Sequence, residues 1–416
     1  MQQHMIKEFI YPYPMPKHYG SAGKPVEVSQ STPKIFTPLQ IKDIELKNRI
    51  VVSPMCQYSS IDGFMSDYHL VHYGTFARGG ASMIVMEATS VSEIGRITYA
   101  DSGLWKDEQM EPLKRIVKFI QQFDCKTSIQ IAHAGRKAST HPPFLGKRNE
   151  SIPIDDSHGH GWLPIAPSAL SWGEGSTVPK EMTLDDITTV INQFRDSAER
   201  CLKCGFDMIE IHGAHGYLIS SFLSPTSNKR TDQYGGDFNG RIKFLIDIVK
   251  AVRTVWPLSK PLSVRLSCEE WVKDGWHIDD TVRLAKILET LGVDILDCSS
   301  GGNSSSQKIQ GGPLYQVKFA EQVKNNTNLK TAAVGLINKP NEADSILETN
   351  KCDIVMMARA FLRDPFWPLR CADELNIDTD VSLEYSFLKP RMMKASELKL
   401  KQPAHTHHQD ANFTIP

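Results

Sequence analysis

The segment HGAHGY brings two imidazoles and one phenol together, at His212, His215 and Tyr217, directly after an apolar run. Two imidazoles can donate hydrogen bonds to one substrate oxygen and so stabilise the enolate or nitronate that forms as a hydride arrives. A tyrosine two residues further on can protonate the adjacent carbon as a general acid. A single histidine in such a place would more often be a capping or core residue. The clustering of the three side chains favours the catalytic interpretation.

Other apolar runs of the chain also carry or end in polar side chains. They are Ser53, Cys56 and Tyr58 after the first run, Gln130 and His133 at the third, Arg265 within the fifth and Arg359 after the eighth. Most arginines form surface ion pairs, but a charge within a buried run needs a buried anionic partner such as a phosphate. Phosphate sites in α/β barrels often use the loops after strands seven and eight, here near Gly335 and Ala358. These residues indicate a carbonyl-activating pocket beside a phosphate-bearing cofactor, and they do not by themselves name that cofactor.

Eight apolar runs must position these side chains. They begin at Ile50, Ala81, Thr127, Phe206, Pro261, Val293, Thr331 and Asp353, and helical patterns separate them. Near-continuous apolar runs are typical of parallel strands that are covered on both faces. The clearest helical pattern starts after the capping residue Thr183 and ends at Gly205. The alternation predicts an α/β fold, a single-domain (β/α)8 TIM barrel, with the active site at the carboxyl ends of its strands.

The predicted barrel spans residues 35–375, between an extended leader, residues 1–34, and a partly disordered C-terminal extension, residues 376–416. The longest irregular stretch, residues 139–175, follows the third strand, and we expect it to rise over the catalytic face. A doubly wound sheet is the alternative fold. Such a sheet usually has a glycine-rich phosphate turn after its first strand, and the first apolar run of this chain has none.

The composition is that of an ordinary globular protein. The 416 residues carry a formal net charge of −1, and this balance predicts no nucleic-acid partner. No apolar run approaches the roughly 18 residues of a membrane span, and the first residues lack a signal-peptide pattern, so no membrane association is expected. Eight cysteines in so long a chain do not resemble a disulfide framework, and we therefore expect a reducing, cytoplasmic setting.

Histidines and cysteines raise the alternative of a metal site. His133, His212 and His215 could supply three zinc ligands, but no carboxylate or thiolate stands beside them at metalloenzyme spacing. Cys201 and Cys204 form a CxxC pair late in a predicted helix, where buried packing is the expected role. No metal is therefore predicted.

Longer segments of the chain resemble the old yellow enzyme family of NADH:flavin oxidoreductases, and its YqjM-like branch in particular. The resemblance extends from about Ile35 to Pro365 and includes SPMCQYSS, IQIAHAGRKA, HGAHGYLISSFLSPTSNKRTDQYGG and MARAFLRDP. It implies FMN at the mouth of the barrel, with NADPH or NADH as the reductant. It further implies an ene-reductase of the NADPH dehydrogenase or enoate reductase type. Such an enzyme reduces the activated C=C bonds of α,β-unsaturated carbonyl or nitro compounds by hydride transfer from flavin N5 and protonation, here by Tyr217.

The resemblance also assigns roles to single residues of this chain. It implies that His212 and His215 bind the activating group of the substrate, that Tyr217 donates the proton and that Tyr58 makes a second substrate contact. The thiol of Cys56 is expected to tune the redox potential of the flavin. The residues expected to contact FMN are Ser53, Pro54, Met55, Cys56, Ala88, Gln130, Arg265, Ala358 and Arg359, with Gly335 in the predicted phosphate loop.

Departures from the family pattern concern the oligomer and the substrate. A homo-oligomer, either a dimer or a tetramer, is expected, and relatives extend an arginine into the active site of a neighbouring subunit. The segment VSLEYSFLKPR has Phe387 or Leu388 roughly at that place, although Arg391 could compensate. The sequence GGDFNGR stands where the family usually has GGS-x-ENR, and the loop at residues 139–175 is longer than in the compact bacterial members.

Three other functions stay open at this point. A dihydrouridine synthase acting on RNA is disfavoured by the near-neutral charge and by the HGAH pair. A barrel that binds FMN or a metabolite without turnover, as a sensor or scaffold, is disfavoured by the presence of Tyr217. A dienoyl-CoA reductase with an iron–sulfur cluster is disfavoured because no closely spaced set of cysteines follows the barrel.

Overall fold

Eight parallel strands close into a barrel in the computed structural model, which describes residues 18–147 and 150–388. Each strand of the barrel pairs with the next one in chain order, and the eighth pairs with the first. The strands are β1 (Ile50–Val52), β2 (Met83–Ser90), β3 (Lys126–Ala132), β4 (Met208–Gly213), β5 (Leu262–Ser267), β6 (Ile295–Ser299), β7 (Lys330–Val334) and β8 (Ile354–Met357). The predicted TIM barrel is thereby confirmed, and the doubly wound sheet is excluded because such a sheet does not close.

Helices follow the strands and cover the outside of the barrel. Those of the described residues are α1 (Asp67–Arg78), α2 (Met110–Gln121), α3 (Leu184–Cys204), α4 (Leu218–Leu223), α5 (Phe238–Arg253), α6 (Ile278–Thr290), α7 (Val317–Lys324), α8 (Pro340–Glu348), α9 (Arg359–Arg363) and α10 (Trp367–Glu374). The helix predicted between Thr183 and Gly205 is α3. Thr183 caps it by accepting a hydrogen bond from the N–H of Asp186 at 3.1 Å, and Gly205 ends it at a φ of +85°.

The apolar core has an outer and an inner part. The outer part lies between the strands and the helices, and it includes the buried thiols of Cys201 and Cys204, which pack as expected. The inner part lies inside the barrel, where the first residues of several strands pack against a hairpin formed by Leu39–Ile41 and Ile44–Leu46. This hairpin closes the amino ends of the strands. The carboxyl ends are therefore the face of the barrel where a site can open.

The stretch at residues 139–175 is largely irregular, as predicted. Its regular parts in the described residues are a 3-10 turn at Pro143–Leu145 and a short strand at Ile165–Ala166, which pairs with Lys180–Glu181. The indole N–H of Trp162 donates to the carbonyl of Ile94 at 2.9 Å, and that of Trp172 donates to the carbonyl of Gly302 at 2.9 Å. These contacts join the stretch to the loops that follow β2 and β6, so it covers part of the carboxyl-end face. We call it the covering segment.

The termini of the chain are described only in part. Gly23 donates its N–H to the carbonyl of Asp380 at 2.8 Å, so the described end of the leader pairs with the chain beyond α10. The predicted limits of the barrel at residues 34 and 375 stay predictions, and the remainder of both extensions, including Arg391, lies outside the described residues. Among residues 18–147 and 150–388, no helix is both long and apolar enough to cross a membrane.

Candidate active site

The three side chains of the HGAHGY segment lie together at the carboxyl end of β4. The ring of His212 lies 5.2 Å from that of His215 and 5.1 Å from that of Tyr217, measured between centroids, with near-perpendicular planes. The chain turns sharply between them because His215 adopts a left-handed φ of +63°. Tyr217 then forms the N-cap of α4. The structure thus brings together the three residues that the sequence singled out.

The protonation state of His212 follows from its surroundings. Its Nδ1 accepts a hydrogen bond from the backbone N–H of Ala214 at 3.4 Å, so the proton of the neutral ring resides on Nε2. Burial, together with the positive charges of Arg265 and Lys137, holds the pKa of His212 well below its usual value. His212 is therefore a neutral donor through Nε2.

His215 is held in place by two serines that were not predicted from the sequence. Its backbone N–H donates to Oγ of Ser267 at 2.8 Å, and its Nε2 lies 2.8 Å from Oγ of Ser299. Burial first, and then the charge of Arg265, holds its pKa well below the usual value, so the ring is also neutral. Because Nε2 is engaged with Ser299, Nδ1 is the ring nitrogen that can meet a substrate. Both serines are the last residues of their strands, β5 and β6, and this position was the available signal.

The loop after β1 carries Ser53, Pro54, Met55, Cys56 and Tyr58. Ser53 donates its N–H to the carbonyl of Met357 at the end of β8, at 2.9 Å. Tyr58 adopts a left-handed φ of +51°. Burial, and then the nearby carboxyl groups of Asp101 and Glu87, raises the pKa of the Cys56 thiol well above its usual value. Cys56 is therefore a protonated thiol at neutral pH, where it can donate a weak hydrogen bond.

A buried glutamate supports this loop from β2. Glu87 accepts hydrogen bonds from the backbone N–H of Gln57 at 3.3 Å, from the Tyr73 hydroxyl at 2.7 Å and from Oγ of Ser102 at 3.1 Å. A buried carboxylate is costly unless donors surround it, and these three contacts satisfy that requirement. Glu87 was not predicted, although a charged residue inside the run SMIVMEATSV was a visible signal.

A chain of polar side chains crosses the interior of the barrel. Oε1 of Glu210 accepts from the Gln130 amide at 2.9 Å, and Oε2 accepts from Oγ of Ser263 at 2.9 Å. The Nε of Arg265 lies 3.1 Å from Oδ2 of Asp297. Burial raises the pKa values of both carboxyl groups, and Arg265 opposes the rise in each. Glu210 and Asp297 were not predicted, although they lie in buried runs just as Arg265 does.

Arg265 connects this interior chain to the open face of the barrel. Its buried anionic partner, expected from the sequence, is a carboxylate of the protein itself, Asp297. Its Nη1 also donates to Oγ of Ser53 at 3.2 Å, which links β5 to the loop after β1. Arg359 differs, because its side chain is exposed as the first residue of α9. The argument from burial therefore applies to Arg265 and not to Arg359.

A cavity of about 210 Å³ opens beside Arg265, between the loops after β7 and β8. Gly335, Ala358 and Arg359 line it, as does Arg363, which was not predicted from the sequence. Gly335 adopts a φ of +118°, and a Cβ at this position would lie 2.7 Å from Nε2 of Gln316. A backbone kept free of side chains and flanked by guanidinium groups fits a phosphate.

The remaining predicted residues occupy two different environments. Ala88 and Tyr217 line one small cavity at the ends of β2 and β4. His133, in contrast, is not among the residues that line this cavity. It is buried, its Nδ1 accepts from the N–H of Gly135 at 3.1 Å, and burial lowers its pKa to about 3.

In the described part of the chain, no three histidine, cysteine, aspartate or glutamate side chains converge as metal ligands would.

Known proteins match this chain over most of its length. The family model described as "NADH:flavin oxidoreductase / NADH oxidase family" matches residues 34–378. An NADPH dehydrogenase of Bacillus cytotoxicus is 42% identical over 355 residues, which cover 85% of this chain and 96% of that protein. An NADPH dehydrogenase of a Geobacillus species is 41% identical over 353 residues, covering 84% of this chain and 97% of that protein.

Solved structures share the same barrel. Morphinone reductase is 26% identical with a TM-score of 0.70, and the match covers 85% of this chain and 92% of that one. A 2-naphthoyl-CoA reductase in complex with 2-naphthoyl-CoA is 24% identical with a TM-score of 0.74. That match covers 82% of this chain but only 52% of the other, and it shows the fold alone.

Proposed function

The chain belongs to the NADH:flavin oxidoreductase / NADH oxidase family, the old yellow enzyme family, and on this basis we propose that it reduces activated C=C bonds of α,β-unsaturated carbonyl or nitro compounds. Membership makes it a flavin-dependent NAD(P)H oxidoreductase. The observation that carries the finer proposal is the cluster of His212, His215 and Tyr217, which joins two neutral donors to a general acid.

FMN, when bound, takes electrons from NADPH or NADH and supplies the hydride. The cavity beside Arg265 has the size and the donors to hold its phosphate, through the backbone at Gly335 and the guanidinium of Arg359. Arg265 and Gln130 would donate to the polar edge of the ring system, and Cys56 would add a thiol. The residues proposed to contact FMN are Ser53, Pro54, Met55, Cys56, Ala88, Gln130, Arg265, Gly335, Ala358 and Arg359.

The side chains of the site divide the work of the reaction. The Nε2–H of His212 and a ring nitrogen of His215 would bind the carbonyl or nitro oxygen, and both become stronger donors as negative charge develops there. Tyr58 would add a second contact to the substrate. The hydroxyl of Tyr217 would then give its proton to the α-carbon, so that a hydride and a proton together complete the reduction. The covering segment would limit the access of water to this face.

The proposed function can be tested with the purified protein alone. We expect a visible spectrum of bound flavin, bleaching of this spectrum by NADPH under anaerobic conditions, and its return when an enone such as cyclohexenone is added. A colourless protein that takes up no FMN would contradict the family-based cofactor. Bleaching by NADPH without reoxidation by any compound from a panel of enones and nitroalkenes would contradict only the proposed substrate class.

Replacing Cys56 with alanine should leave FMN bound and move its midpoint potential to more negative values. A thiol donor stabilises the electron-rich reduced ring more than the oxidised one. Losing a hydrogen bond of about 1 kcal/mol corresponds to roughly 20 mV for a two-electron couple. Equilibration with a reference dye under anaerobic conditions measures the potential. Cys56→Ser, which keeps a donor, is the matched control, and equal shifts in both variants would contradict the role of the thiol hydrogen.

Replacing Gly335 with alanine should weaken the binding of FMN. The left-handed backbone disfavours any side chain, and the added Cβ would displace Gln316, whose amide donates to the carbonyl of Val334 at 2.8 Å. The free variant can relax this backbone, whereas bound FMN would hold it in place, so strain of about 1–3 kcal/mol in the bound state corresponds to roughly 5–150-fold weaker binding. Fluorescence of released flavin measures the dissociation constant. Gly236→Ala is the control, because Gly236 also has a positive φ, +73°, but open space around it. Equal loss in both variants would contradict a phosphate site here.

A further inference from the structure

Lys137 joins three loops of the catalytic face through one ammonium group. It lies in a short 3-10 turn, Gly135–Lys137, directly after β3. Its Nζ donates to the carbonyl of His215 at 2.9 Å and to the carbonyl of Gly302 at 3.2 Å. The first carbonyl belongs to the loop after β4 and the second to the loop after β6. The half-buried amine therefore fixes the left-handed turn that presents His215.

The same ammonium group lies between two aromatic rings. Its Nζ is 5.1 Å from the ring centroid of Tyr217 and 4.8 Å from that of Trp172, a residue of the covering segment. Trp172 in turn donates to the carbonyl of Gly302, which Lys137 also contacts. A cation held at this distance from an aromatic ring is attracted to it, and it favours a negative charge on that ring.

We propose that Lys137 is a positioning residue that holds the His215 turn in place and makes Tyr217 a stronger acid by stabilising its phenolate. The inference rests on the proposed function. In the protonation step the O–H bond of Tyr217 breaks and a C–H bond forms at the α-carbon of the enolate or nitronate. The negative charge then resides on the Tyr217 oxygen until solvent returns a proton. A positive charge beside the ring lowers the free energy of this state.

Three other titratable groups near Tyr217, within the described part of the chain, do not supply this charge. The ring that packs against it, His212, is neutral, as is His215 behind it. Asp101 lines the same small cavity as Tyr217, and burial raises its pKa to about 7. An ionised Asp101 would oppose a phenolate. Among these groups, Lys137 is thus the one whose charge favours the tyrosinate.

The test compares three variants of the FMN-loaded enzyme, Lys137→Met, Lys137→Gln and Lys137→Arg. Each variant is reduced anaerobically and then reoxidised by one of two oxidants. An enone needs the proton of Tyr217 for its reduction, whereas ferricyanide accepts electrons without protonation of a carbon atom. For Lys137→Met we expect enone reoxidation to slow about tenfold at neutral pH. The alkaline limb of its pH–rate profile, where Tyr217 loses its proton, should move up by about one pH unit. Ferricyanide reoxidation should stay unchanged. Lys137→Arg should restore the wild-type limb, and Lys137→Gln, which keeps a donor without a charge, should resemble Lys137→Met.

Two controls separate the possible failures. Lys318→Met removes another lysine that lies 5.1 Å from each of two rings, Trp271 and Phe319, on the outer surface, and it should change neither rate. Tyr217→Phe is measured in parallel. If Tyr217→Phe slows enone reoxidation but the alkaline limb of the pH–rate profile of Lys137→Met does not move, the inference about Lys137 is overturned and the proposed function stands. If Tyr217→Phe is as fast as wild type, the proton donor itself is wrongly assigned. If Lys137→Met does not fold, the limbs of Lys137→Gln and Lys137→Arg decide, and equal limbs overturn the inference.

Discussion

Replacing Tyr217 with phenylalanine is expected to slow the reoxidation of the reduced enzyme by an enone about 10²–10⁴-fold. This range is typical for the removal of a positioned general acid. The aromatic ring and its packing against His212 remain in the variant, because only the hydroxyl is lost. The α-carbon of the enolate would then take its proton from water, whose access we propose the covering segment to limit. Stopped-flow measurement of the flavin absorbance after mixing with the enone gives the rate.

Two other properties of Tyr217→Phe, its rate of reduction by NADPH and its affinity for phenolic ligands, serve as internal controls. Reduction by NADPH requires no proton from Tyr217, so its rate should stay within about threefold of wild type. The affinity for phenolic ligands, which we propose to depend on His212 and His215, should also be retained. An enone rate close to that of wild type would contradict the role of Tyr217. Loss of both half-reactions would instead point to a disturbed site.

The barrel and the polar side chains at the carboxyl ends of its strands were predictable from the sequence because the relevant signals are local. Each of the eight apolar runs became a strand of the barrel, and strands of a parallel barrel end on one face. The residues that end these runs, such as Ser53 and His212, therefore had to lie on the same face of the barrel. Arg359 shows the limit of this rule. The run DIVMMARAF does not reveal that the strand stops at Met357 and that a helix starts at Arg359, where the side chain is exposed.

The side-chain contacts around the site were less predictable because they join residues distant in the chain. Lys137 donates a hydrogen bond to the carbonyl of His215, which is 78 residues away in the sequence, and another to that of Gly302, which is 165 residues away. Both contacts depend on left-handed backbone at His215 and Gly302, which sequence periodicity does not encode. Glu210 and Asp297 are different, since a carboxylate in a buried run signals a buried partner. The reasoning that identified Arg265 would have identified them as well.

The covering segment shows a third kind of limit. Its length and irregularity predicted its place over the catalytic face, but not the contacts that fasten it there. The guanidinium carbon of Arg96 lies 5.3 Å from the ring of Trp105 and 5.1 Å from that of Trp162, so a cation between two indoles ties the segment to the loop after β2. No periodic pattern marks such a contact. The same segment places the ring of Trp172 4.8 Å from Nζ of Lys137.

Replacing His212 with alanine is expected to slow enone reoxidation about 10²–10³-fold, the usual effect of removing one oxyanion donor. It should also weaken the binding of phenolate ligands about tenfold or more, because a hydrogen bond to a charged group contributes about 1.5–3 kcal/mol. Titration of the flavin absorbance with p-hydroxybenzaldehyde measures the affinity. His212→Asn, which keeps an N–H donor, should retain more of both properties than His212→Ala.

The pH dependence of His212 provides an independent check of this role. Its pKa lies well below the usual value, so its folded form stays neutral as the pH falls from 8 towards 6, where an ordinary histidine would gain a proton. Over this range the affinity for the phenolate should follow the ionisation of the ligand, with no added increase from a histidine that becomes charged. If the affinity of wild type instead rises near pH 6.5, and the rise disappears in His212→Ala, then His212 acts as a cation. In that case the neutral Nε2 donor assigned to it from the contact with Ala214 is wrong.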